Sequence, residues 1–158
     1  IYRRVVAPDG SERSLKVWPF YSITRGEGSE EGFVAWPFGW FSREETVEGE
    51  ISTFQFVPFY RERTYASRDG DDHGEVQVWP LFKHTETEAG ASRFRLLAPI
   101  PFVDWEEFEA NFGWAWTLLD VRSEGARDRV DLLSGLLGFE SGPEEDALRL
   151  LWFLRIPF

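Results

Sequence analysis

The residues best suited to metal chemistry lie in one polar segment, "RDGDDHGE", at positions 68–75. Asp69, Asp71, His73 and Glu75 occupy alternate positions there, so four oxygen or imidazole groups could collect a Ca²⁺ ion. The spacing departs from the standard twelve-residue calcium loop, and the Asp-Gly pair at 69–70 is typical of a solvated hairpin turn. We therefore predict no metal site and no cofactor.

The residue types needed for acid–base or nucleophilic catalysis are present without a motif that would assemble them. The two histidines, His73 and His84, lie in no nucleophile motif, and the chain has no Cys and no Gly-x-Ser-x-Gly elbow. Paired acids could serve a glycosidase only if two of them faced each other across a cleft, and we interpret them as a solvated acidic rim. The pairs are Glu44/Glu45, Glu106/Glu107 and Glu144/Glu145. The glycine-rich "RGEGSEEG" lacks the Lys-Ser/Thr of a phosphate loop. The sequence therefore predicts a protein that is not an enzyme and has no catalytic residues.

Composition and charge limit the classes of partner. The 158 residues are 42% hydrophobic and include 8 Trp and 15 Phe, enough for a folded domain. The formal net charge of −11 argues against a nucleic-acid partner and disfavours an anionic membrane surface. No apolar run approaches the roughly 20 residues of a membrane helix.

A repeat is built around the motif Trp-Pro-Phe. The proline position falls at Pro19, Pro37, Pro58, Pro80 and Pro99, in steps of 18, 21, 22 and 19 residues. Three further steps of 18 reach Thr117, Gly135 and Phe153, where the proline is lost but the next residue remains large and apolar. Polar, glycine-containing segments separate these positions and predict tight turns.

The spacing and the β-branched and aromatic content predict strands centred on the proline positions. The sequence predicts eight of them, at about 14–24, 33–43, 53–65, 75–86, 92–103, 112–122, 128–139 and 147–157. Two segments also carry helix-capping patterns, 104–112 and 141–154, and the helix remains an alternative for both.

The fold class predicted is all-β, an antiparallel meander of about eight strands in a bent or curled sheet, either barrel-like or an extended array. Mid-strand prolines suggest that each strand bends at its proline. Both faces of the strand centres are apolar, so both are expected to be covered. One face is predicted to carry Trp18, Phe20, Trp36, Phe38, Trp79 and Leu81, and the other Val17, Tyr21, Phe56, Tyr60, Val78 and Phe82. Aromatic rows of this kind form a core, although they could also stack sugar rings or hold an apolar ligand.

The domain organisation predicted is a single β-repeat domain over residues 1–158. The segment "IYRR" at 1–4 resembles "FYRER" at 59–63, which follows a proline position. We therefore expect the chain to be an excerpt of a longer array.

The chain resembles a group of bacterial tandem-repeat β proteins with Trp/Leu-Pro-Leu/Phe strands. The resemblance is carried by Trp18-Pro19-Phe20-Tyr21, Trp36-Pro37-Phe38, Val57-Pro58-Phe59-Tyr60-Arg61 and Trp79-Pro80-Leu81-Phe82. It covers residues 1–103 and implies a component of the cell envelope (outer membrane or periplasm) or a secreted protein, with no activity attached.

Three functions follow as hypotheses. The first is a non-enzymatic structural or scaffolding repeat protein of the bacterial envelope or exterior, which packs into a larger assembly through protein partners or self-association. The second is an eight-stranded outer-membrane barrel, in which membrane contact would be direct. The third is a soluble barrel that binds a hydrophobic ligand.

Overall fold

A computed structural model of the chain describes residues 2–8, 11–70, 72–97, 117–143, 145–151 and 153–158. Within these ranges the regular structure is entirely β, and no helix there is long and apolar enough to cross a bilayer. The strands are β1 Tyr2–Val6, β2 Arg13–Val17, β3 Tyr21–Gly26, β4 Ser29–Val34, β5 Gly39–Glu45, β6 Gly49–Phe56, β7 Tyr60–Ser67, β8 His73–Val78, β9 Phe82–Glu86, β10 Ser92–Leu96, β11 Leu119–Glu124, β12 Arg127–Leu132, β13 Leu137–Ser141, β14 Ala147–Leu150 and β15 Leu154–Pro157.

The strands follow one another in the sheet in chain order from β1 to β15, and neighbouring strands are antiparallel, as in the pairs β3–β4 and β11–β12. The predicted all-β antiparallel meander is therefore confirmed. The order is linear, with β1 and β15 at its two ends, so the described sheet does not close into a barrel. The described strands therefore do not form the closed barrel that two of the functional hypotheses require.

The number of strands and the position of the prolines differ from the prediction. Each fully described proline repeat is a hairpin of two short strands rather than one long bent strand; the predicted strand 14–24, for example, consists of β2 and β3. The proline lies in the turn between them, where the Phe20 N–H donates to the Val17 carbonyl over 2.8 Å. The peptide bond before Pro19 is cis, as it is before Pro37, Pro58 and Pro80, and a cis proline at the third position defines a type VI turn.

The two segments with helix-capping patterns have different outcomes. Residues 104–112 lie outside the described residues. In 141–154 the described backbone forms a turn and then β14, so the strand prediction is confirmed there. The alternating apolar residues of this segment belong to two paired strands, since Leu148 lies opposite Ile156 and Leu150 opposite Leu154.

The chain divides into two compact units, unit 1 from Ile1 to Gly74 and unit 2 from Glu75 to Phe158. In unit 1 the registers of β2 to β7 place directly opposed residues on one face of the sheet. The apolar face of unit 1 carries two such rows: Val17, Tyr21, Val34, Gly39, Phe56 and Tyr60, followed by Leu15, Ile23, Gly32, Phe41, Phe54 and, at its β7 end, Glu62. The polar face carries Lys16, Ser22, Phe33, Trp40, Gln55 and Arg61, followed by Ser14, Thr24, Glu31, Ser42, Thr53 and Arg63.

Glycines on the apolar face let aromatic rings lie flat on the sheet. A Cβ built on Gly32 would meet the Phe41 ring at 2.5 Å and would collide with the carbonyl oxygen of Ser22. A Cβ on Gly39 would touch the Phe56 ring at 3.5 Å and the Val34 carbonyl oxygen at 2.6 Å. The two glycines are therefore required by close cross-strand approach, an arrangement known as aromatic rescue of glycine.

Unit 2 has the same division into faces, with aliphatic rows on one and charged rows on the other. Its apolar face carries Phe82, Leu96, Leu119, Leu132, Leu137, Leu150 and Leu154, and the row Phe94, Val121, Val130, Phe139, Leu148 and Ile156. The prediction that both faces are apolar is thus wrong, because half of the residues it assigned to faces, such as Trp18 and Phe20, lie in turns.

Candidate functional site

The four side chains considered as candidate calcium ligands do not come together in the described residues. Asp69 lies in the turn after β7, and Asp71 lies outside the described residues. The His73 ring stacks on Tyr65 with a centroid distance of 4.6 Å, and the Glu75 carboxylate pairs with Lys83 at 3.0 Å. His73 is thus the first residue of β8 rather than part of the turn, and no group of three ligating side chains occurs in the described ranges.

The other acid–base candidates are also separated. His84 contacts Glu86 at 3.2 Å at an exposed position. Glu44 and Glu45 are adjacent in β5, so their side chains point to opposite faces of the sheet. The pair 106–107 and the residue Glu144 lie outside the described residues.

An ion-pair cluster on the charged face of unit 2 was not anticipated from the sequence. Asp120 accepts two hydrogen bonds from Arg93, at 3.0 and 2.6 Å, and three from Arg122, the shortest at 2.8 Å. Burial raises the pKa of the Asp120 carboxyl, but the hydrogen bonds and charges of the two arginines outweigh this and lower it to about 2. Asp131 is paired with Arg129 at 2.7 Å in the same way. The paired Asp120 carboxylate is therefore a poor proton donor or acceptor near neutral pH.

The least expected feature of unit 1 is an apolar turn row at one end of its strands. We define it as the turn residues Trp18, Pro19, Phe20, Ala35, Trp36, Pro37, Phe38, Val57, Pro58 and Phe59. Phe20 is 70% exposed and Phe38 is 50% exposed, and Trp18, Trp36 and Phe59 are also exposed. The turns at the other end of the strands are polar and contain Glu27, Glu48 and Asp69.

Hydrogen bonds between neighbouring turns continue the sheet ladder into the apolar turn row. The Trp36 N–H donates to the Pro19 carbonyl over 3.0 Å, and the Val57 N–H donates to the Phe38 carbonyl over 2.8 Å. The segment around Pro37 therefore pairs with the segments on both sides of it, as the meander prediction required. Rings also meet along the row, since the Trp18 and Trp36 centroids are 6.3 Å apart.

A groove of about 490 Å³ opens on the polar face of unit 1, next to the apolar turn row. Its walls combine aromatic rings from Trp18, Trp36 and Trp40 with the cationic side chains of Lys16 and Arg61. The Trp40 indole N–H donates to the Pro37 carbonyl over 2.9 Å, which fixes this ring relative to the turn. The groove therefore joins an apolar edge to a small cationic surface.

The apolar faces of both units are poorly buried. Among the described residues, Ile23 and Ala147 are the apolar side chains that are buried, while Phe54 and Phe56 of unit 1 are 38% and 40% exposed. On the apolar face of unit 2, Leu132, Leu137 and Leu154 are likewise exposed. Side chains with the pattern of a core are therefore open to solvent on these faces.

Three leucines in the turns of unit 2 adopt left-handed backbone conformations. Their φ angles are 65° at Leu97, 49° at Leu133 and 53° at Leu151, a region that favours glycine by roughly 1–2 kcal/mol over other residues. Their side chains are exposed, so they contribute little to packing within the described structure. The exposed apolar side chains at these positions therefore come at a conformational cost.

A comparison of this chain with protein-family models, curated protein sequences and solved structures finds no match to any of them.

Proposed function

We propose that this chain is a non-enzymatic structural repeat protein that packs into a larger assembly through its apolar faces. The observation that carries the proposal is the exposure of those faces, on which residues such as Phe54 and Phe56 stay accessible although they alternate as core residues do. A sheet with one apolar face normally buries it against a second layer. Here the second layer would be supplied by another molecule.

The partner that best fits the apolar face of unit 1 is a second copy of the same sheet. Two sheets pack face to face about 10 Å apart when their apolar side chains interdigitate. On the same face, towards the polar turns, Arg25 pairs with Glu30 at 2.6 Å and Arg43 with Glu50 at 3.0 Å. These exposed pairs would form the polar rim that usually surrounds an apolar interface centre.

Self-association through the apolar face is also consistent with the charged face of unit 2, where carboxylates pair with arginines of the same sheet. Asp120 and Asp131 are each neutralised by arginines of the same sheet, so this face needs no partner to balance its charges. The apolar face is the surface that gains by being covered, at roughly 25 cal/mol for each Å² of apolar area removed from water.

The proposed location is the bacterial cell envelope or the exterior, and it is supported by the resemblance of residues 1–103 to tandem-repeat β proteins of that type. Cell fractionation of the source organism with an antibody against this chain would test it. Recovery in the soluble cytoplasmic fraction would contradict it.

The assembly is tested by sedimentation velocity over a range of concentrations, with negative-stain images of the largest species. We expect concentration-dependent oligomers, and we expect Phe54→Thr and Phe56→Thr to weaken association by about tenfold each, because each removes an apolar ring from the interface. Gln55→Thr is the matched control, because it lies between the two on the opposite face and should leave association unchanged.

Far-UV circular dichroism establishes that the variants keep their strands. Because Phe56 also covers Gly39, Val34→Thr provides a second variant on the same face without that role. A monodisperse monomer at all concentrations, or equal association of the Phe54, Val34 and Gln55 variants, would refute the proposal.

A further inference from the structure

We propose that the apolar turn row of unit 1 inserts into the interfacial layer of a phospholipid bilayer, with Lys16 and Arg61 beside the lipid phosphates. This surface lies at the ends of the strands and adjoins the apolar face, where the ring centroids of Phe38 and Phe56 are 6.1 Å apart. Vesicle binding is measured on the chain itself, so the inference does not depend on self-association.

The composition of the apolar turn row matches the bilayer interface. Its ten residues contain no charged side chain, and their polar side-chain atoms are the indole N–H groups of Trp18 and Trp36. Trp is enriched at membrane interfaces because its ring is apolar while its N–H still finds a polar partner. The phenyl rings of Phe20, Phe38 and Phe59 project between the lipid chains in this arrangement.

Backbone N–H groups in the apolar turn row are already paired, which favours its entry into a poorly hydrated layer. The prolines have no N–H to satisfy. The N–H groups of Phe20, Trp36 and Val57 donate to carbonyls within the row or at its base, over 2.8–3.0 Å. This lowers the cost of placing non-helical backbone at a membrane surface, which is several kcal/mol for each unpaired group in hydrocarbon.

In unit 1, cationic side chains lie beside the apolar turn row and the acidic turns lie at the opposite end of the strands, which favours an approach to lipid phosphates. Lys16 and Arg61 lie in the row of the polar face that is nearest the turns, and both line the groove beside Trp40. The acidic turns lie at the other end of strands of five to eight residues, which is roughly 16–27 Å away. That distance exceeds the Debye length of about 8 Å at physiological salt, so the acidic turns of unit 1 are largely screened from the phosphates.

A phospholipid surface fits better than a protein partner because the row is a line of exposed rings with cations beside it. The groove next to it, lined by aromatic and cationic side chains, suits a phosphate-bearing headgroup. Glu31 also lines the groove, one row further from the turns on the same face, so its carboxylate is an acidic neighbour of a bound headgroup.

The test is flotation of the protein with phosphatidylcholine vesicles, with and without phosphatidylglycerol. We expect the unmodified chain to bind both, and we expect the double variant Phe20→Ser/Phe38→Ser to lose binding by about tenfold or more, since two exposed rings no longer enter the interface. The control is Val47→Ser, because Val47 is 89% exposed in a turn at the opposite end of the strands. Its binding should remain within about twofold of the unmodified chain.

Two further measurements separate insertion from adsorption. Vesicles with brominated acyl chains should quench the tryptophan emission of the unmodified chain, and Lys16→Gln should weaken binding to phosphatidylglycerol vesicles more than to phosphatidylcholine alone. All variants are first checked for strand content by circular dichroism. The proposal is overturned by an absence of binding to both vesicle types, by equal binding of the double variant and the Val47 control, or by binding to a protein partner only.

Discussion

Replacing Gly32 by alanine tests the close approach of strands and rings on the apolar face of unit 1. Alanine is normally preferred to glycine inside a strand by roughly 0.5–1 kcal/mol, because glycine loses more backbone freedom on folding. At this position the new methyl group would meet the Phe41 ring at 2.5 Å and the carbonyl oxygen of Ser22. The ring can move, but the carbonyl belongs to the neighbouring strand, so the sheet itself must shift.

The expected magnitude follows from these contacts. Overpacking alone costs typically 1–3 kcal/mol, and the displacement of Phe41 also breaks its stacking on Tyr21, whose ring centroid is 6.5 Å away. The lost stacking adds about 0.5–1.5 kcal/mol. After subtracting the ordinary gain from alanine, we expect a net loss of about 2 kcal/mol in the free energy of unfolding. With a urea m-value of roughly 1–3 kcal/mol/M, the midpoint falls by about 0.7–2 M.

The assay is urea denaturation followed by tryptophan emission, with Gly26→Ala as the control in the same unit. A Cβ on Gly26 would meet Ser29 Oγ at 3.0 Å, which is the end of a side chain that can rotate away. That variant should stay within about 0.5 kcal/mol of the unmodified chain. An unchanged or raised midpoint for Gly32→Ala would refute the register of β3, β4 and β5.

Three other predictions concern charge, metal and the turns of unit 2. The carboxyl pKa of Asp120 falls from an ordinary 3.8 to about 2 on folding, so this group contributes roughly 2 kcal/mol of stability above pH 4 that is lost as the pH falls towards 2. Acid unfolding of Asp120→Asn should lack this step, and an unchanged acid profile would contradict the pairing. Addition of a chelator should leave the melting temperature unchanged, and a fall of several degrees would point to a metal in the segment 68–75. Trp79→Ala should lower the free energy of unfolding by about 2 kcal/mol because the ring is half-buried, and His73→Ala by about 1 kcal/mol because it loses its stacking on Tyr65. Urea denaturation compares the two, and a larger loss for the His73 variant would contradict this ranking.

The periodicity of the sequence predicted the meander and much of one face. Val17, Tyr21, Phe56 and Tyr60 were placed on a common face, and the register of the sheet puts them in one row. These assignments succeeded because alternation of side chains is a local property of a strand. The regular spacing of the repeat likewise fixed the order of the hairpins, since short connections leave no length for a crossover.

The turns could not be located in the same way because their residues are as apolar as the strands. Trp18, Pro19 and Phe20 continue the hydrophobic run of the adjacent strands, so the sequence gives no polar break at which to end a strand. The Asp120 cluster was missed for a different reason. Asp120 contacts Arg93, which lies 27 positions earlier in the chain and on the neighbouring strand of the sheet. Arg93 and Asp120 carry no sequence signal of that contact until the pairing of β10 with β11 is known.

The pairing of each strand with its neighbours in the chain has a consequence for how such a protein can change its length. A hairpin pairs only with the hairpins before and after it, so its stability depends on itself and on two adjacent interfaces, as in other linear repeat proteins. Duplication or deletion of one hairpin by unequal recombination between two polar turns would leave the registers of the remaining hairpins intact. The gene can therefore grow or shrink in steps of about 20 residues, and the newly synthesised chain can fold hairpin by hairpin as it leaves the ribosome.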